Sequence, residues 1–324
     1  MKYIFYIVCF VVVFFLGFGL RSVKFSSKQE CNLSKNSWNL LVKNADFSPR
    51  DSSSVFIYKN QIWLSNGYYT GNLCFRDLWY TNDGLTWVCV NTATPYDPYS
   101  HIVVYDGKMW AVGNTVWNSV DGKKWIQIQP SVPVGRGNYN VPVIFNNEIW
   151  TIGGRMVWKT TDGVNWVCIN KNVPVSDRGN YAYAVYKNKL WIIGGGLNKP
   201  NNPPEKGAPN VTTLNDVWCS DDGITWKQVL KNAPWCERLW PVAVVCDGKL
   251  WIVSGYDAKK AKNLNDMWYT EDGQNWKQFY PEKSFSPRNM PSVFTFKNNM
   301  WLIGGNTWPV TNEVWKLILE KNVL

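Results

Sequence analysis

Five arginines stand at a recurring place in this chain. Arg50, Arg178, Arg238 and Arg288 each lie 13 residues before a tryptophan that ends a short apolar run, and Arg136 lies 14 before its own. The tryptophans concerned are Trp63, Trp191, Trp251, Trp301 and, for Arg136, Trp150. Guanidinium grips carboxylate, sulfate or phosphate through a bidentate fork. If these side chains converge, they select an acidic ligand. Ion pairing within the protein is the competing use, and Asp177 and Glu237 stand directly beside Arg178 and Arg238. Before Trp110 the pattern breaks, with Asp97 and Tyr99 followed by Ser100 and His101.

Other chemistry is limited by supply. His101 is the single histidine of the 324 residues, which excludes sites built on two or more imidazoles, the paired-histidine zinc hydrolases among them. Seven cysteines follow the N-terminal apolar run (Cys31, Cys74, Cys89, Cys168, Cys219, Cys236 and Cys246), with no C-x-x-C among them. A cysteine metal site is therefore disfavoured, while one or two disulfides remain open. No metal or cofactor is expected. Asp46, Asp51, Asp97, Glu237 and Asp257 are within chain reach of the arginines, but nothing in their order nominates an acid–base couple. Trp235, Trp240 and Trp308 fall in the same stretches. An aromatic ring beside arginine suits a sugar or peptide, and packing of the loops is the alternative.

The elements that position these residues are read from repetition. The pattern W-x-[ST]-x-D-G-x-x-W occurs five times, at Trp79–Trp87, Trp117–Trp125, Trp158–Trp166, Trp218–Trp226 and Trp268–Trp276. Asp-Gly between alternating residues predicts a two-residue hairpin turn of type I′, joining strands c and d. Ahead of each copy two apolar runs flank a short polar turn and end at Trp63, Trp110, Trp150, Trp191, Trp251 or Trp301; these are strands a and b. Their spacings of 47, 40, 41, 60 and 50 residues, with four antiparallel strands per unit, predict a β-propeller. Six a–b hairpins stand against five complete c–d hairpins. The missing strand is supplied by Trp38–Val42, whose Ser37-Trp38-Asn-Leu-Leu matches Thr86-Trp87-Val-Cys-Val. The expected fold is thus all-β: a six-bladed propeller closed by an N-terminal strand that completes the last blade and removes an open edge. Of the 21 tryptophans, 18 sit on strands b, c and d, so they are expected to pack blade against blade.

The di-glycines after strand b (Gly153-Gly154, Gly194-Gly195, Gly304-Gly305), the Asn-Asp before strand c (Asn215-Asp216, Asn265-Asp266) and the paired aromatics resemble kelch repeats, as in the central domain of galactose oxidase. The [ST]-x-D-G-x-x-W turn is similar to the Asp-box of sialidase propellers. The aromatic spacing is one residue shorter than the usual kelch pattern. The kelch resemblance covers about residues 37 to 320 and implies the same propeller. It also implies two kinds of function, because such propellers include binding modules as well as a sialic acid mutarotase and sialidases. The Arg-Ile-Pro motif of sialidases is absent, and the copper site of galactose oxidase needs two histidines.

Domain limits follow: residues 1–24 as signal peptide or membrane anchor, 25–36 as linker, 37–320 as propeller, 321–324 as tail. The first of these rests on 18 uncharged residues, Tyr3 to Leu20. The propeller is expected outside the cytoplasm, secreted or tethered, and monomeric. Asn32 and Asn210 fit glycosylation sequons. The net charge of +10 has no block of five basic residues behind it, which argues against nucleic acid. Variable loops on a rigid scaffold carry function, so the b–c and d–a face is the expected working face. The ligand-binding candidates are Arg50, Arg136, Arg178, Arg238, Arg288, Tyr99, Trp240 and Trp308. The expected function is an extracytoplasmic binding module for a glycan or acidic peptide, with a sialic-acid enzyme as the alternative.

Overall fold

The computed structural model describes residues 35–69, 73–132, 141–153, 156–174, 178–198 and 211–320. These belong to one compact unit, 34–324, distinct from 1–33. The apolar N-terminal segment, Cys31, both sequon asparagines, Arg136, Asp177 and the proline-rich stretch around Pro204 lie outside the described residues.

Six antiparallel sheets follow one another along the chain. Blade 1 runs Ser54–Tyr58, Gln61–Ser65, Leu78–Thr81 and Val88–Asn91 as strands a to d. Blades 2 to 5 repeat this order, with strands a at His101–Tyr105, Val141–Phe145, Ala182–Tyr186 and Val242–Cys246. Blade 6 takes Ser292–Phe296, Asn299–Ile303 and Val314–Leu317 from the C-terminal part of the chain. Its outer strand is Trp38–Val42, paired antiparallel with Val314–Leu317. The molecule is therefore an all-β, six-bladed propeller whose ring is closed by the N-terminal strand. Neighbouring strands a touch all the way round and line the central axis.

The core is divided among the seams. Each of the six buried clusters draws on two adjacent blades; one, for example, joins Trp301 and Ile303 of blade 6 to Ile62 and Leu64 of blade 1. The six strand-b tryptophans are all buried. Five of them donate from Nε1 to the carbonyl five residues back, as Trp251 does to Cys246 at 3.0 Å.

Two turn types separate the hairpins. All six a–b turns have two central residues at positive φ, such as Lys59 (47°) and Asn60 (58°), the I′ geometry that matches strand twist. The c–d connection differs from the expected two-residue turn. Strand c of blade 1 ends at Thr81 and strand d starts at Val88, and only Gly84 of the Asp-Gly pair has positive φ. Side chains hold this longer loop. Thr81 Oγ1 accepts from the Gly84 N–H at 2.9 Å, and Asp83 Oδ1 accepts from the Leu85 N–H at 2.9 Å. The glycine serves packing too. A Cβ on Gly223 would lie 2.6 Å from Trp150, and one on Gly122 2.9 Å from Trp63, each a strand-b tryptophan of the preceding blade. The motif thus links turn to seam.

On the other face, strands b and c of blades 4 and 5 run on past the blade as long hairpins, Lys189–Asn198 with Val211–Ser220 and Lys249–Asp257 with Lys262–Thr270. The lysine-bearing stretch 255–265 is therefore mostly strand. The six described cysteines after the N-terminal run form no disulfide.

Candidate functional site

The d–a connectors enter strand a at one end of the axis, and the arginines sit in them. Their guanidinium groups turn into the blades. Arg50, Arg238 and Arg288 are fully buried, and the Arg178 side chain nearly so. Each meets an acid two residues before its own blade's strand-c tryptophan. Arg50 Nη2 donates to Asp77 at 2.9 Å, Arg178 Nη1 to Asp216 at 2.7 Å, Arg238 Nη1 to Asp266 at 2.7 Å and Arg288 Nη2 to Glu313 at 2.7 Å. The same four carboxylates accept from the Nε1 of Trp79, Trp218, Trp268 and Trp315. Burial raises the Asp266 carboxyl, but the Arg238 guanidinium more than offsets this and holds it below its ordinary range.

The arginine backbone stitches the seams. Gly195, Gly255 and Gly305 donate their N–H to the carbonyls of Arg238, Arg288 and Arg50, each in the next blade, at 3.0–3.3 Å. A Cβ on Gly304 would lie 2.5 Å from the Arg50 oxygen, which explains the di-glycine at that seam. The expectation that these four arginines present a free cation to a ligand is therefore corrected: their charge is neutralised inside the blade. The pair lies within one blade, and the inter-blade contact is made by backbone. Blade 2, with Asp97 at the arginine position, has Thr115 at the acid position, and Trp117 Nε1 donates to it at 2.9 Å. In blade 3 the acid position is Met156, and Trp158 Nε1 finds no acceptor among the described residues.

What the connectors do show the axis is a different residue. A cavity of about 780 Å³ opens at this end, lined by residues of all six blades. Of the ligand-binding candidates, Tyr99, Trp240 and Trp308 line it, and none of the four described arginines does. Asp51, one of the five acids within chain reach of the arginines, is on the same wall, and sequence reasoning missed Tyr68, Asn180, Tyr181, Tyr183, Met290 and Asn306 there. Trp235, by contrast, is buried against Trp276 with centroids 4.6 Å apart, where Phe47 meets Trp87 in blade 1.

Two titratable groups face this space with opposite tendencies. Burial raises Asp51 to about 6, against the lowering effect of bonds from Ser52 and Asn306. Desolvation lowers the His101 imidazole to about 4, so it is neutral at pH 7. Burial also pushes the Tyr181 hydroxyl to about 12 and raises Tyr183. Both phenols are un-ionised donors, Tyr181 bonding the Ile152 carbonyl at 3.0 Å. Trp240 and Ser100 belong to the wall, while their Nε1 and Oγ atoms are closed off from solvent and have no hydrogen-bond partner among the described residues. The other expected acids are engaged or set apart. Asp46 accepts from the Trp87 N–H, Asp257 from the Lys259 N–H, and Glu237 pairs with Lys259. Asp97 is not among the lining residues.

Six tyrosines and tryptophans, five serines and three asparagines share the wall with twelve non-aromatic apolar residues, and Asp51 is its one carboxylate among the described lining residues. Such a surface can stack a ring and hydrogen-bond its rim. Among the described residues no group of three or more His, Cys, Asp or Glu could hold a metal ion, and no helix is long and apolar enough to cross a membrane.

Comparison with known proteins gives a family and a fold. A family model described as "DUF6242 beta propeller domain" matches residues 34–322. Among solved structures, one titled "Structure of YjhT" superposes with a TM-score of 0.66 at 12% identity, covering 87% of this chain and 98% of the other. At that identity the likeness concerns the fold alone. No curated protein sequence matches.

Proposed function

The chain belongs to the DUF6242 β-propeller family, and on that premise we propose that it is a binding module for an uncharged carbohydrate, taken up in the axial cavity. The observation that carries this reading is the composition of the wall. Trp240, Trp308, Tyr99 and Tyr183 offer ring faces or edges, and Asn180, Asn306 and Ser52 lie among them. Pyranose rings have apolar faces and hydroxyl rims, and an aromatic body with polar neighbours matches both. The acidic-ligand version has lost its support from the four described arginines. The kelch assignment belongs to this proposal and is supported by the di-glycine approach to the arginine carbonyl. A location outside the cytoplasm accords with the apolar stretch Tyr3 to Leu20.

A glycan array probed with the purified protein tests the reading. Uncharged oligosaccharides should bind, and Trp240→Ala should abolish the signal. An array with no binding, or with binding that Trp240→Ala leaves intact, sinks it.

One observation favours a second reading, an acid–base step on a bound sugar. Asp51 carries a carboxyl poised near neutrality inside the cavity. Anomer exchange of free sugars, followed by NMR, would show acceleration by the protein and its loss in Asp51→Asn.

A further inference from the structure

Residues in the left-handed backbone region recur at one register. Counted back from each strand-b tryptophan, the eleventh residue is Ser52, Tyr99, Asn180, Trp240 and Met290 in blades 1, 2, 4, 5 and 6; that of blade 3 lies outside the described residues. Four of the five have positive φ: Ser52 at 56°, Asn180 at 59°, Trp240 at 54° and Met290 at 51°. All five line the cavity. Glycine adopts this conformation freely, whereas serine, tryptophan and methionine do so only under constraint. Positive φ alone assigns no role, since lysine, asparagine and aspartate also adopt it in the a–b turns. At this register it recurs together with a place on the cavity wall, and includes tryptophan and methionine, and that coincidence points to use of the side chains.

The constraint is visible. Two residues earlier stands the buried arginine, locked to its carboxylate. The residue between is clamped to its own blade, in blade 5 to strand b itself and in blades 1 and 6 to the segment that follows strand b. Asp51 and Tyr68 exchange N–H bonds at 2.9 and 3.0 Å, Leu239 and Tyr256 at 2.8 and 2.9 Å, Asn289 and Asn306 at 2.8 and 3.1 Å. Neighbouring members then tie to each other. The Trp240 N–H donates to the Asn180 carbonyl at 2.8 Å, and the Ser52 N–H to the Met290 carbonyl at 3.1 Å.

We infer that this register forms a recognition ring. The arginine–carboxylate pairs are positioning groups that hold its backbone, and its side chains choose the ligand. The inference rests on the carbohydrate reading above and deepens it. Around the ring, Trp240 and Met290 of blades 5 and 6, with Trp308 beside them, make an apolar arc. Ser52 and Tyr99 of blades 1 and 2, with His101 and Asp51 beside them, make a polar arc, and Asn180 joins the two on the blade 4 side. The ring therefore selects a ligand with one apolar face and one hydroxyl-bearing edge, such as a pyranose seated off-axis toward blades 5 and 6.

The test combines a glycan array with thermal unfolding of Ser52→Gly, Asn180→Gly, Met290→Gly and Trp240→Gly. Lys59→Gly is the control, a positive-φ position (47°) in an a–b turn on the other face. Ser52→Gly and Asn180→Gly should melt no lower than wild type. All four ring variants should change which uncharged glycans bind, with about a tenfold or greater loss of affinity in Trp240→Gly. Lys59→Gly should leave the glycan profile unchanged. A profile unaltered by the ring variants overturns the ring. If the wild-type protein binds no glycan, the carbohydrate reading fails and the melting temperatures decide the ring separately. Ser52→Gly and Asn180→Gly melting below wild type would assign these side chains a purely structural role and overturn it. Melting at or above wild type would support a ring that displays its side chains to a ligand of another class.

Discussion

The buried arginine decides the chemistry at the scale of single residues. Arg238 contributes one charge, two bonds to Asp266 and one to the Ser254 carbonyl, all within blade 5. Removing one partner of such a pair strands the other, which costs about 3–5 kcal/mol. Arg238→Ala should therefore lower the unfolding free energy by about that amount in denaturant titration. A fully stable variant would return the arginine to the ligand. Asp51 and His101 make a second prediction. The folded pKa of Asp51, about 6, lies above its ordinary value, so its contribution to stability is full below about 4 and is lost as pH rises to about 6. The folded pKa of His101, about 4, lies below its ordinary value, so its contribution is full above about 6.5 and is lost as pH falls toward 4. Each shift corresponds to about 3 kcal/mol, and over this window the two oppose each other. Melting curves between pH 4 and 7 should show Asp51→Asn losing stability toward acid more steeply than wild type, and His101→Gln gaining it. Parallel curves for all three proteins would contradict the assignment.

At the scale of the element, the glycine of the c–d turn has two duties that can be separated. Gly223 has φ 71° and meets Trp150 of the preceding blade, while Gly107 of an a–b turn has φ 68° and nothing within 4 Å of a Cβ. Gly107→Ala should cost about 1 kcal/mol from backbone strain alone. Gly223→Ala adds overpacking of about 1–3 kcal/mol. Equal losses in the two variants would mean the seam contact is slack. These elements were largely legible in the sequence, because tryptophan and Asp-Gly recur at fixed spacing. The c–d turn was misjudged as two-residue, since the bonds from Thr81 and Asp83 that hold the longer loop leave the same Asp-Gly signature. The acid partner of four of the five arginines was also written in the chain. Asp77, Asp216, Asp266 and Glu313 occur in blades that carry the arginine and blade 2 lacks both members, whereas blade 3 carries Arg136 with Met156 at the acid position. Their pairing spans 25 to 38 residues and requires the blade to bring them together. The recognition register was hidden because its residues share a backbone conformation and no side-chain type.

For the whole molecule, closure is the organising fact. Trp38 is buried between blades 5 and 6, its ring 5.2 Å from Phe285 and its Nε1 on Met267 Sδ at 3.1 Å. Without Trp38–Val42, blade 6 would expose the edge of Val314–Leu317 and open a core seam. A chain beginning at Lys43 should melt well below one beginning at Ser26, and equal melting temperatures would contradict closure by this strand. The closed ring in turn fixes the described connectors around the cavity, and the account as a whole rests on what that cavity takes up. The most direct measurement is tryptophan fluorescence titration of the wild-type protein, Trp240→Ala and Lys59→Gly with the uncharged oligosaccharide that gives the strongest array signal. The account predicts saturable binding by the wild type and Lys59→Gly and its loss in Trp240→Ala. Binding by Trp240→Ala with wild-type affinity would contradict it.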